Sequence, residues 1–73
     1  MTKEEISSLK VGDTIGNNLT WTVDKWKITE IVKRGVVVVT SGHKQLVEWE
    51  QLENGEDVIR YDKTVRHDTW EKI

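Results

Sequence analysis

His67 and Asp68 stand side by side, an imidazole next to a carboxylate, as in a hydrolytic triad. A triad also needs a nucleophile within hydrogen-bond reach of the base, and no plausible one stands nearby in sequence. His43, the other histidine, sits between glycine and lysine in "SGHK". Neither histidine has a second ligand at metal-binding spacing. "ENGED" (53–57) gathers carboxylates without the spaced ligands of a calcium loop. There is no cysteine, so no thiolate metal site and no disulfide. The residues imply neither an enzyme nor a bound cofactor or metal.

The side chains suited to contact are aromatic and basic. Four tryptophans in 73 residues is high for so small a chain. A tryptophan buries a large apolar area and ends in one donor, which suits interface anchors as well as cores. Trp49 alternates with Val47 and precedes Leu52, and Trp26 alternates with Ile28, so both read as core. Trp21, at a loop–strand junction, and Trp70, near the C-terminus, are the candidate protein-binding anchors; the alternatives are that Trp21 caps the open end of the barrel and that the tail folds back to plug the core with Trp70. Lys25, Lys27, Lys33 and Arg34 lie next to Trp21 and Trp26, a basic patch with aromatics that could track phosphates and stack bases. Against nucleic acid stand the net charge of −2 and the acidic run Glu48, Glu50, Glu53, Glu56, Asp57.

Composition sets the class. Valine, threonine, isoleucine and tryptophan are plentiful and alanine is absent, which favours strands over helices. A chain of 73 residues makes one domain with a small core. No apolar run approaches the roughly 18 residues of a membrane span. With no cysteine and no apolar leader after Met1, the expected setting is the cytoplasm.

The elements that must position these residues follow from local pattern. Thr2 and Glu5 have capping-box spacing and predict a short helical turn that drops Ile6 and Leu9 onto the core. "DTIG" is a strand and "NNLT" a loop. "TWTVDKWKITEIVK" (20–33) reads as one long strand whose apolar phase breaks twice, near Asp24-Lys25 and near Thr29-Glu30. Strand period is strictly two, so each break calls for a bulge or bend. Gly35 and Gly42 mark tight turns around "VVVVT", Gly35 through access to positive φ. "QLVEWEQL" is the next strand, "WEQLENGED" closes a single helical turn, and "DVIRY" is a short last strand. For 62–73 two readings stay open, a hairpin around Asp62-Lys63 or a loosely helical C-terminus; the hairpin is preferred.

This order resembles the SH3-like small β-barrel, the group of SH3, Tudor and KOW-type modules. "LKVGDTI", "WKITEIVKRGVVVV" and "LVEWEQLENGEDVIRY" carry the resemblance. It implies a mainly β, five-stranded barrel over about residues 10–61. A short helical turn (1–9) would precede it, a 3-10 turn at Glu50–Asn54 would come before the last strand, and 62–73 would be a C-terminal extension. Single tyrosine and scattered tryptophans depart from the aromatic grooves and cages of the group's peptide-binding members. The functional expectation is therefore broad. It is a small non-enzymatic module that binds a protein, such as a bacterial or phage-encoded regulator or inhibitor, as a monomer or weak homodimer. The alternative is a nucleic-acid-binding module using Lys25, Lys27, Lys33, Arg34 and Trp26.

The four valines 36–39 sharpen the protein-binding expectation. On a strand they point alternately to opposite faces. Val36 and Val38 share one face and Val37 and Val39 the other. The set outside the barrel needs the N-terminal turn (Ile6, Leu9), the C-terminal tail (Val65, Trp70) or a second molecule to cover it. If the termini do not, it is the expected partner or dimer surface, with Val36 and Val38 as the candidate contacts.

Overall fold

The computed structural model describes residues 1–19 and 22–73, with no account of the side chains of 18, 19 and 22–24. The candidate anchor Trp21 therefore lies outside the described residues. The chain is mainly β. Among the described residues two short helices, α1 (Lys3–Ser7) and α2 (Trp49–Asn54), accompany seven strands: β1 (Thr14–Leu19), β2 (Thr22–Val32), β3 (Gly35–Thr40), β4 (His43–Glu48), β5 (Glu56–Arg60), β6 (Lys63–Asp68) and β7 (Trp70–Lys72). Five strands form an antiparallel sheet in the order β4-β3-β2-β1-β7, and β5-β6 form a separate two-stranded ribbon. The large sheet is open, with β4 and β7 at its edges. The mainly β class is as expected, and closure of the five strands into the expected barrel is not shown.

The N-terminal turn is built as its sequence requires. The Glu5 amide donates to Thr2 Oγ1 (3.2 Å), and the Thr2 amide donates to Glu5 Oε1 (3.0 Å). Leu9 follows into the core. The 10–13 turn is locked to β2 by Gly12 N–H to the Ile28 carbonyl and Ile28 N–H to the Asp13 carbonyl, both 2.8 Å.

Of the two phase breaks, one is real. The β2–β3 register slips between Ile28 and Glu30, leaving Thr29 as the extra residue of a bulge. Ile28 pairs with Val38 and Ile31 with Val36, so the bulge keeps both isoleucines on the face that carries Val36 and Val38. Near Asp24-Lys25 the β1–β2 register instead runs unbroken from Thr14↔Lys27 to Leu19↔Thr22. The same pairing draws "NNL" into β1, where a loop was expected. Asn17 is held between Asp24 of β2 and Trp70 of β7, and two-sided pairing overrides asparagine's turn preference.

Val36 and Val38 are fully buried, with Ile15, Ile28 and Leu52, and join Leu9, Val47 and Trp70 in one core. Of the covers expected for their face, Leu9 and Trp70 from the two ends of the chain supply part, and Leu52 adds to them. Val36 and Val38 are thus core residues of the chain itself. Trp70, expected as an exposed anchor, is 3% exposed on β7. The segment read as an extension after 61 therefore supplies a strand of the main sheet. "DVIRY" is not the final strand but half of the ribbon.

Two local corrections concern "VEWEQ" and Gly35. Trp49 does not continue β4; it opens α2, where an α-helix replaces the expected 3-10 turn. Gln51 Oε1 accepts from the Glu48 amide (2.8 Å), a helix-start contact that strand geometry would not allow. The Trp49 indole donates to the Lys33 carbonyl (2.8 Å), tying α2 to the β2–β3 turn. Gly35 has no positive φ. Its need for glycine is spatial, because a Cβ there would fall 2.0 Å from the Val47 carbonyl oxygen.

Two variants test this packing. Ile28→Ala should cost about 2–5 kcal/mol, the range for emptying a fully buried large aliphatic site, read as a lower urea midpoint. Val38→Lys should abolish the cooperative unfolding transition, since an unpaired ammonium cannot be buried there. A folded Val38→Lys protein would show that this face is not core.

Candidate interaction surface

The sheet separates the basic and aromatic residues of the proposed nucleic-acid patch. Lys25 and Lys27 are exposed on β2. Trp26, between them, points to the opposite face, is half-buried, and meets Trp70 edge-on with centroids 6.4 Å apart. Lys33 and Arg34 sit at the far end of β2, about 20 Å along the strand from Lys27 at roughly 3.3 Å per residue. Arg34 is also engaged, its Nη2 lying 2.6 Å from Glu48 Oε1. The structure therefore does not bring these residues together as one surface. Among the described residues there is no pocket and no group of three or more histidines and acids placed to hold a metal. No described helix is long and apolar enough to cross a membrane.

What stands out is the β5-β6 ribbon. From Glu56 to Asp68 every residue is exposed except Val58, half-buried, and Asp68, buried. Ile59 (65%), Tyr61 (90%) and Val65 (56%) are among the most exposed large apolar side chains of the described residues. The turn is Tyr61-Asp62, one residue earlier than expected, with φ of 55° and 58°. Two successive positive φ values fit a type I′ turn, whose twist suits a hairpin and whose usual residues are Asn, Asp and Gly. Aspartate is tolerated there, whereas tyrosine is strained. A bulge at Val65 shifts the register between Val58 and Ile59.

The distal ribbon breaks a second local rule. Arg60 and Lys63 are direct cross-strand partners, and like charges facing each other oppose pairing. Among the described residues neither has an anionic partner within 4 Å.

The base of the ribbon is better held. His67 Nδ1 lies 2.6 Å from Asp57 Oδ1, across the two strands. Arg66 Nε lies 2.9 Å from Asp68 Oδ1. Gly55, with φ +80°, ends α2, and a Cβ there would fall 2.6 Å from both His67 Nε2 and the Asp68 carbonyl oxygen. His67 is thus seated on the helix end, where negative carbonyl ends favour a cation. Its pKa is raised above the ordinary 6.5 by the Asp57 hydrogen bond first, with help from the Asn54 carbonyl and the Asp68 charge.

No protein-family model matches the chain, and comparison with curated proteins and with solved structures finds no match. The surface must be read from its own chemistry.

Sequence reasoning passed over Ile59, Arg60, Tyr61, Lys63 and Val65. A signal was present in "VIRYDKTVRH", which alternates apolar and polar residues around a turn. The turn lacks glycine or asparagine, which is why its position was misjudged by one residue.

The raised pKa gives a signed pH effect. A folded-state pKa above the unfolded one contributes stability that is full below the unfolded value and lost as pH rises through the folded one. Amides of β5 and β6 should therefore exchange faster relative to those of β3 as pH is raised from about 6 to 8, after correction for intrinsic rates. His67→Gln should flatten that dependence. An unchanged slope in the variant would remove His67 from the ribbon's support.

Proposed function

We propose that the protein is a small interaction module that binds another protein through the distal half of the β5-β6 ribbon, with Tyr61, Ile59 and Val65 as its apolar anchors. The observation that carries this reading is Tyr61 itself. It is 90% exposed and held at φ 55° in a turn that prefers other residues. A strained, exposed aromatic that packs against little in its own fold is a departure from local consistency of the kind that marks functional positions. Tyrosine is also enriched where interfaces concentrate their energy. Such a module acts by contact and not by catalysis.

The architecture belongs to the same proposal. The order β4-β3-β2-β1-β7, with the last strand returning beside the first and one helical turn after β4, supports the SH3-like reading. On that reading β5-β6 is a hairpin inserted between the helical turn and the final strand.

Replacing Tyr61 tests function against stability. Tyr61→Asn relieves the left-handed strain and should stabilise the fold by about 0.5–1 kcal/mol, read as a higher melting temperature. The same change should remove the partner from affinity capture in nuclease-treated host lysate. Lys25→Glu with Lys27→Glu should leave capture intact. Capture that persists in Tyr61→Asn and is lost in the lysine pair would overturn the assignment.

A further inference from the structure

The ribbon's two faces carry different chemistry. Ile59 and its partner Thr64 lie on one face, and Arg60 and its partner Lys63 on the other. The second pair holds two cations opposite each other with no described counter-charge within 4 Å. From Ile59 to Val65 there are two basic residues and one acid, although the whole chain has 11 basic and 13 acidic residues. The exposed, apolar end of the ribbon thus carries a net positive charge, away from the Asp57–His67 and Arg66–Asp68 pairs at its base.

We infer that the partner receives the ribbon tip in a cleft with one apolar wall and one acidic wall, so that Arg60 and Lys63 gain the carboxylates they lack in the free protein. This rests on the proposed protein-binding role of the same tip. Charge complementarity sets the chemistry of the acidic wall: two facing cations repel until anions lie between or beside them. The apolar wall follows from Ile59 and Tyr61. A phosphate backbone or an anionic membrane would also meet the cations. Both fit less well, because Asp62 occupies the apex of the turn and would be pressed against the phosphates, and because exposed isoleucine and valine offer nucleic acid little.

A zero-length carbodiimide reads this contact directly, since it joins an amine only to a carboxylate that touches it. In nuclease-treated lysate with the full chain as bait, Lys63 should couple to an aspartate or glutamate of the captured protein. Lys63→Arg, which keeps the charge but cannot couple, should lose that cross-link while still capturing the partner. The double variant R60E/K63E should reduce capture by on the order of tenfold at low salt, with an unchanged melting profile showing that the fold is intact. The outcomes separate the two claims. If Ile59→Ser and Tyr61→Asn abolish capture but R60E/K63E does not, and Lys63 couples to nothing, the tip binds and the acidic wall is wrong. If none of these changes alters capture, the tip is not the site. Binding of the chain to an oligonucleotide duplex or to anionic vesicles that R60E/K63E abolishes, without any Lys63 cross-link to protein, would likewise overturn the acidic cleft.

Discussion

One face of one sheet has to be kept dry, and the rest of the molecule is arranged to do so. Ile15, Ile28, Val36, Val38 and Val47 line that face, and the second sheet, the β5-β6 ribbon, contributes no residue to the core that covers them. The cover is assembled from pieces too small to stand alone: Leu9 after α1, Leu52 of α2, and Trp70 of the three-residue β7. A helix of five or six residues is unstable by itself in water, so each depends on the apolar face it covers. The dependence runs both ways, because removing any one piece exposes fully buried aliphatic side chains. The bulge at Thr29 puts Ile31 on the same face as Ile28 and Val36, where it lies exposed outside the core cluster.

The β5-β6 ribbon lies outside this arrangement. Only Asp68 and part of Val58 are shielded from water, and an isolated two-stranded ribbon is marginal. It is held at its base by the Asp57–His67 pair across the two strands and by the seat that Gly55 provides. Toward the tip the local choices oppose the fold. Tyrosine occupies a left-handed turn position, and arginine faces lysine across the strands. A domain with so small a core has little stability in reserve, and the proposed contact of the tip with a partner would account for these choices. The ribbon combines low local stability with exposed anchors, as binding elements commonly do.

The parts legible in the sequence are those set by local pattern. The Thr2–Glu5 capping box, the break at Thr29, the "VVVVT" strand and the helical turn at "WEQLEN" can each be read from a few adjacent residues. The parts that escaped depend on pairing between distant segments. "NNL" looks like a loop until β2 pairs with all three residues and β7 pairs with Asn17 from the other side. Trp70 looks like an exposed anchor until β7 returns it to the core, 55 residues after Ile15 on the neighbouring strand. Gly35 looks like a turn glycine, yet it is required by the approach of the Val47 carbonyl. The tip proposed to bind is the least legible part. Its signal is a violation of turn and pairing preferences, and this becomes visible only once the backbone angles and the register are known.

Hydrogen exchange on the chain with and without its captured partner tests the central claim most directly. The account predicts new protection concentrated in residues 57–66, with the amides of β1 to β4 exchanging as in the free protein. Protection on the free edge of β4 or across the exposed face of β2 and β3, with the ribbon unchanged, would contradict it.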